Sequence, residues 1–272
     1  MSTLVENVEK VKNAHAALKT AIAAKGVAVP EGTKLTDMPA LVEQISTEPV
    51  PTNERASFAF DGSASIVVPN TMVVDMMTIT NLTYFFDSCL SLKSLTLPEG
   101  FGSVATDIHN CFYSCSSLKS LTLPEGFGSV ATDTNNCFSG CKGLTSLTLP
   151  AGFGSNATNI NTCFYNCQSL TSLTLPDRFG SVATNISHCF SGCKGLTSLT
   201  LPEGFGSVAK EIRTCFNNCQ SLTSLTLPDR FGSVATDMRN CFWQCKALKS
   251  LTLPAGFGQN ATNLTNCFIG CS

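Results

Sequence analysis

Along residues 82–272 the apolar positions fall into one order that returns every 26 residues. In the copy running from Cys115 to Gly140 it reads Cys-x-x-Leu-x-Ser-Leu-Thr-Leu-Pro, then Phe-Gly, Ala and Cys-Phe. Leu121 and Leu123 are two residues apart and so share one face of a short strand, while Ser120 and Thr122 take the other. Pro124 ends that strand. Phe127, Ala131, the column Ile108, Ile160, Ile186, Ile212, Met238 and Leu264, then Phe138 and Cys141, complete the inward set. Each unit therefore buries roughly seven or eight side chains, worth on the order of 10–15 kcal/mol. Ordering its backbone costs more than that, at roughly 1–2 kcal/mol per residue. No unit can stand alone, and stacking into a solenoid with a parallel strand ladder must supply the remainder.

The chain before the repeats has other periods. Leu4, Val8, Val11, Ala14, Leu18 and Ile22 fall at helical spacing, with Gly26 placed to end the helix. Met38, Leu41, Val42 and Ile45 suggest a second short helix before Pro49. Residues 55–80 alternate as strands do, in Phe58-Ala59-Phe60, Ile66-Val67-Val68 and Met72-Val73-Val74. The organisation expected is a helical segment over 1–50, a β-rich cap over 51–81 and the solenoid over 82–272. The fold class is α/β, a parallel ladder with short helical or 3-10 turns between its strands.

Fifteen cysteines change the picture of the core. Eight recur at the repeat spacing, Cys89, Cys115, Cys141, Cys167, Cys193, Cys219, Cys245 and Cys271. Seven form a second column four residues earlier, Cys111, Cys137, Cys163, Cys189, Cys215, Cys241 and Cys267. Buried thiols, disulfides within a coil and a metal site are all open to such a pattern. Phe85 occupies the place before Cys111 in the second column, so that site accepts an aromatic group and behaves as core. Tetrahedral metal ligation would also want partners that the repeat does not supply, and no cofactor is expected. We read the columns as structural ladders of buried thiols.

The run Cys-x-x-Leu-x-x-Leu-x-Leu-Pro with the following Cys-Phe-x-x-Cys resembles the BspA-like leucine-rich repeats of bacterial surface proteins, over about 190 residues. Two departures stand out. The unit is lengthened around Phe-Gly-Ser, and the asparagine that ordinary leucine-rich repeats place after Leu-x-Leu is Gly126 or Arg178 here. An asparagine ladder is absent at that place, and the inward cysteine column is the candidate to replace it. The N-terminal Ala-Ile-Ala-Ala-Lys-Gly (21–26) and Gly-Thr-Lys-Leu-Thr-Asp-Met-Pro (32–39) are similar to a helix-loop-helix segment of phage and prophage structural proteins.

A net charge of -2 without a basic run gives no electrostatic case for nucleic acid. No apolar run approaches the roughly 18 residues that span a bilayer, and the N-terminus lacks the basic and apolar regions of a signal peptide. His15, His109 and His188 lie in unrelated contexts, so no catalytic constellation assembles and an enzyme is not expected. Function then rests on columns that vary while their neighbours do not. Between Phe and the second Cys stand Tyr113, Ser139, Tyr165, Ser191, Asn217 and Trp243, and two residues before the first Cys stand His109, Asn135, Asn161, Ser187, Arg213 and Arg239. Aromatic and arginine side chains anchor interfaces. Tyr113, Tyr165, Trp243, His109, Arg213 and Arg239 are accordingly the candidate contacts to a protein or glycan partner. The Ser/Thr face of the ladder reads as a solvated sheet. The resemblance implies an adhesion protein at the bacterial cell surface; the N-terminus points instead to a cytoplasmic or virion-associated assembly protein. A homodimer through the uncapped C-terminal end is a further expectation.

Overall fold

In a computed structural model of the chain the described residues are 65–67 and 79–271. The expected N-terminal helices lie outside them, as does all of the expected cap except β1 (Ser65–Val67). This strand runs parallel to β2 (Ser94–Thr96), pairing Ser65 with Ser94 and Val67 with Thr96. Parallel pairing continues from β2 to β3 (Ser120–Thr122), from β4 (Ser146–Thr148) to β5 (Ser172–Thr174) and from β6 (Ser224–Thr226) to β7 (Ser250–Thr252). In every pair serine faces serine and leucine faces leucine, one coil apart. The inward-outward alternation is as the sequence pattern requires, with Leu121 buried between exposed Ser120 and Thr122.

The Ser-Leu-Thr strands do not make one continuous sheet. Three short ladders form, and Ser198-Leu199-Thr200 carries the same sequence without strand pairing. The unbroken thread lies elsewhere. Single parallel bridges run Asn81, Asp107, Asp133, Asn159, Asn185, Glu211, Asp237 and Asn263, one residue from each coil. At six of these the side-chain oxygen also caps the N–H two residues on, as Asp133 Oδ1 does for Asn135 at 2.8 Å and Asn185 Oδ1 for Ser187 at 3.0 Å.

Beyond that bridge the arc is built of turns, and the helical or 3-10 segments expected between the strands do not form among the described residues. The reason is backbone sign. Asn110 and Ser114 both sit at positive φ, as do Asn136 and Gly140, Thr162 and Asn166, and His188 and Gly192. A left-handed residue at every fourth place breaks any helix. It also places N–H groups outward along the axis: Asn110, Phe112 and Ser114 donate to the carbonyls of Asn135, Cys137 and Ser139 in the next coil, at 2.9, 2.8 and 2.7 Å. Cys111, Tyr113 and Cys115 instead close turns on Ile108, Asn110 and Phe112 within their own coil. Thus every second amide of the arc belongs to the neighbouring coil.

Two rails of phenylalanine fill the centre. Phe112, Phe138, Phe164 and Phe190 stack ring on ring with centroids 5.4–5.6 Å apart. Phe127, Phe153, Phe179 and Phe205 form the second rail at 6.0–6.2 Å. Parallel stacking at these distances is favourable for aromatic pairs and is repeated by the coil spacing itself. Close approach is possible because Gly154 lies against the Phe179 ring, at φ +66, where an added Cβ would come within 2.8 Å of Phe179 Cδ2.

Candidate functional site

The cysteines lie inside this core. Fourteen of the fifteen are buried and Cys271 is partly so, with none joined to another. The column that begins at Cys115 makes a defined bond: its thiol donates to the carbonyl of Phe86 at 3.0 Å. Cys141, Cys167, Cys193 and Cys219 repeat this to Phe112, Phe138, Phe164 and Phe190, each at 3.2 Å. A thiol must be protonated to donate, and burial favours the protonated form. Burial pushes Cys193 up to about 12 and Cys267 up to about 11. Thiolates strong enough for nucleophilic or metal chemistry are therefore disfavoured at these sites. Among the described residues no group of three or more His, Cys, Asp or Glu side chains is arranged to hold a metal ion.

What remains for recognition is the outer surface of the turn arc. Tyr113, Tyr165 and Trp243 stand in one column at 38%, 37% and 37% exposure. The other members of that column do not reach solvent in the same way, since Ser139 and Ser191 are buried and Asn217 is half-buried. Relief along the column is therefore set by residue size: rings project and serines recede. Tyr165 meets His188 edge to face at 6.2 Å, and Tyr84 meets His109 in the same manner at 5.5 Å.

The second predicted column lies on the flank of the first. His109, Arg213 and Arg239 are half-buried, whereas Ser187 is fully buried. His109 Nδ1 is 2.7 Å from Asp107 Oδ1, and Arg239 Nη2 is 3.0 Å from Asp237 Oδ2. Each of these two charges is thus paired with the acid two residues before it on the bridge column. Arg213 acts on His188, whose pKa burial lowers first and the guanidinium lowers further. His188 is then a neutral imidazole at neutral pH, with its Nδ1 2.7 Å from Thr214 Oγ1. The two columns form one polar arc, but not every member is a surface residue.

Two features escaped the sequence pattern. Residues that follow the aromatic column, Asn166, Asn218 and Gln244, set amide groups beside the rings at left-handed backbone positions. Asparagine tolerates that geometry better than most residues, which is the signal that could have found them. A second exposed stripe is Val-Ala-Thr: Val104, Val130, Val182 and Val208 are 37–43% exposed. Its threonines donate to carbonyls one coil back, as Thr132 Oγ1 does to Thr106 at 3.3 Å.

The sequence matches the profile of the family described as BspA type leucine-rich repeat region, in six copies over residues 55–186 and 157–272. The comparison with curated proteins finds no match. Among solved structures the chain is similar to a leucine-rich repeat protein from Eubacterium ventriosum, at 21% identity and a TM-score of 0.49 over 71% of this chain. It spans 46% of that protein's length. A leucine-rich repeat protein of T. pallidum aligns at 23% identity and a TM-score of 0.42, covering 76% of this chain and 75% of its own. A leucine-rich cell surface protein from Faecalibacterium prausnitzii aligns at 20% identity and a TM-score of 0.36, covering 68% and 58% respectively.

Proposed function

Because the chain belongs to the BspA type leucine-rich-repeat family, we propose that it is a non-enzymatic binding protein whose turn arc meets a protein or glycan partner. One observation carries this reading: three aromatic side chains project from a column whose other inner members are buried serine or half-buried asparagine. Large rings held on a rigid scaffold lose little entropy on binding, which makes them efficient anchors. The columns beside them hold His109, Arg213 and Arg239, which extend the contact with directional donors. No helix among the described residues is long and apolar enough to cross a membrane. The test is a variant with alanine at Tyr165, Arg213 and Trp243, compared with the parent chain on a panel of immobilised matrix proteins and cell-wall polysaccharides. Whatever the parent binds should be bound at least tenfold more weakly by the variant, with an unchanged melting temperature. Equal binding would place function on another surface.

A second reading is assembly, and it is favoured by the last described coil. Leu253, Leu264, Phe268 and Ile269 are 43%, 46%, 42% and 54% exposed there, a contiguous set of large apolar groups. End-to-end pairing with a second copy would cover them. Light scattering of the chain with and without Ile269→Asp decides it: a dimer that dissociates on substitution supports the reading, and a monomer in both cases contradicts it.

A further inference from the structure

We infer that the partner of the arc is an extended β-1,4-linked polysaccharide lying along the solenoid axis, one sugar to each coil. This rests on the reading of the arc as the binding surface, and it is the spacing and composition of the arc that select the ligand. Stacked parallel strands advance about 4.8 Å per coil, close to the length that one sugar adds to an extended β-linked chain. Tyr113 and Tyr165 are two coils apart, about 10 Å, and Trp243 lies three coils further, about 14 Å. Every ring is therefore in step with a sugar of the same straight chain, two sugars apart and then three.

The surface between the rings fits the same ligand. Ser139 and Ser191 recede into the arc, so the rings are isolated projections and do not join into one apolar patch. A protein interface needs a contiguous desolvated apolar centre, which this arrangement lacks. Sugar rings stack singly on aromatic faces and turn their hydroxyls sideways to neutral donors and acceptors. Asn166, Asn218 and Gln244 supply amides directly beside the stripe. The acids of the arc add little net charge where they pair with a neighbour, as Asp107 does with His109 and Asp237 with Arg239. A neutral chain is preferred to a charged one on such a surface.

Trp243 is the sole tryptophan of the chain and stands in the stripe, so its fluorescence reports occupancy directly. The full chain is titrated with the β-1,4-linked hexamers of glucose, N-acetylglucosamine and mannose, and with the α-1,4-linked hexamer of glucose, whose coiled shape breaks the register. The expected result is a saturable fluorescence change with at least one β-linked hexamer and at least tenfold weaker binding of the α-linked one. Tyr165→Ala should weaken the hexamer at least fivefold and leave the matching disaccharide, too short to reach from Trp243, unchanged. No response to any β-linked hexamer, or equal response to the α-linked chain, overturns the inference. If that happens while the triple alanine variant still loses its binding on the panel above, only the choice of ligand has failed. If the triple variant binds as the parent does, the reading of the arc has failed as well.

Discussion

The thiol of Cys141 donates to the carbonyl of Phe112, 29 residues earlier and one coil back, at 3.2 Å. That carbonyl also accepts the amide of Cys115 at 3.3 Å, so one acceptor ties a turn to the coil that follows it. The cysteine column therefore does for this solenoid what an amide ladder does in ordinary leucine-rich repeats, with a weaker donor that leaves no polar surplus in the core.

Replacing Cys141 with alanine removes the donor and leaves a small void, and should cost about 1–3 kcal/mol. Cys271 makes the same bond to Phe242 at 3.2 Å from a partly exposed site. Water can serve that carbonyl, so Cys271→Ala should cost well under half as much. Urea denaturation of the two variants gives the comparison, and equal losses would mean that the bond is not what stabilises the inner site.

Gly154 and Gly258 share a left-handed backbone, at φ +66 and +69, but not their surroundings. An alanine Cβ at 154 would lie 2.8 Å from the Phe179 ring, whereas at 258 the nearest atom is Met238 Sδ at 3.5 Å. Gly258→Ala should cost about 1–2 kcal/mol for the backbone alone. Gly154→Ala adds about 1–3 kcal/mol of overpacking. Thermal melts showing the two equally destabilised would contradict the close packing of the phenylalanine rail.

Thr134 interrupts the aliphatic column of Ile108 and Ile160, fully buried, with no nitrogen or oxygen partner for its hydroxyl and the Cys163 thiol facing it. Thr134→Val removes the hydroxyl with little change of shape and should stabilise the fold by about 1 kcal/mol. A loss of stability on denaturant titration would show that the Thr134–Cys163 contact is a hydrogen bond of value.

Alkaline pH should unfold the chain abruptly. Burial raises Cys193 from 9.0 to about 12, and the other buried thiols shift in the same direction. The sign follows from proton binding. Above pH 9 the unfolded chain loses protons that the folded chain keeps, so stability is complete below that pH and falls as pH rises towards the folded values. Each thiol removes about 1.4 kcal/mol per pH unit in that window. With many acting together, circular dichroism should show loss of structure within about one unit above pH 9; a fold intact at pH 11 would contradict the buried ladder.

The strands were legible because a period of two with leucine on one side admits a single reading, as at Ser120-Leu121-Thr122. The turn arc was less so. Its left-handed residues include Thr162, His188 and Arg178, whose types do not announce positive φ, so helical turns were expected where overlapping turns form. Ser139 and Ser191 stand in a variable column and looked as exposed as Tyr165, yet their size lets them sink into the arc. The bridge column of Asp107 and Asn159 went unread because its aspartate, asparagine and glutamate share a function through the backbone and not through one residue type.

The account depends most on the cysteines being protonated core residues, which leaves the turn columns to carry recognition. Counting reactive thiols on the unreduced protein, before and after unfolding, tests it directly. The prediction is slow or no reaction in the native state beyond Cys271, the one cysteine that is not fully buried, and all fifteen thiols reactive after unfolding. One reactive thiol after unfolding would require a disulfide scaffold and would contradict the account.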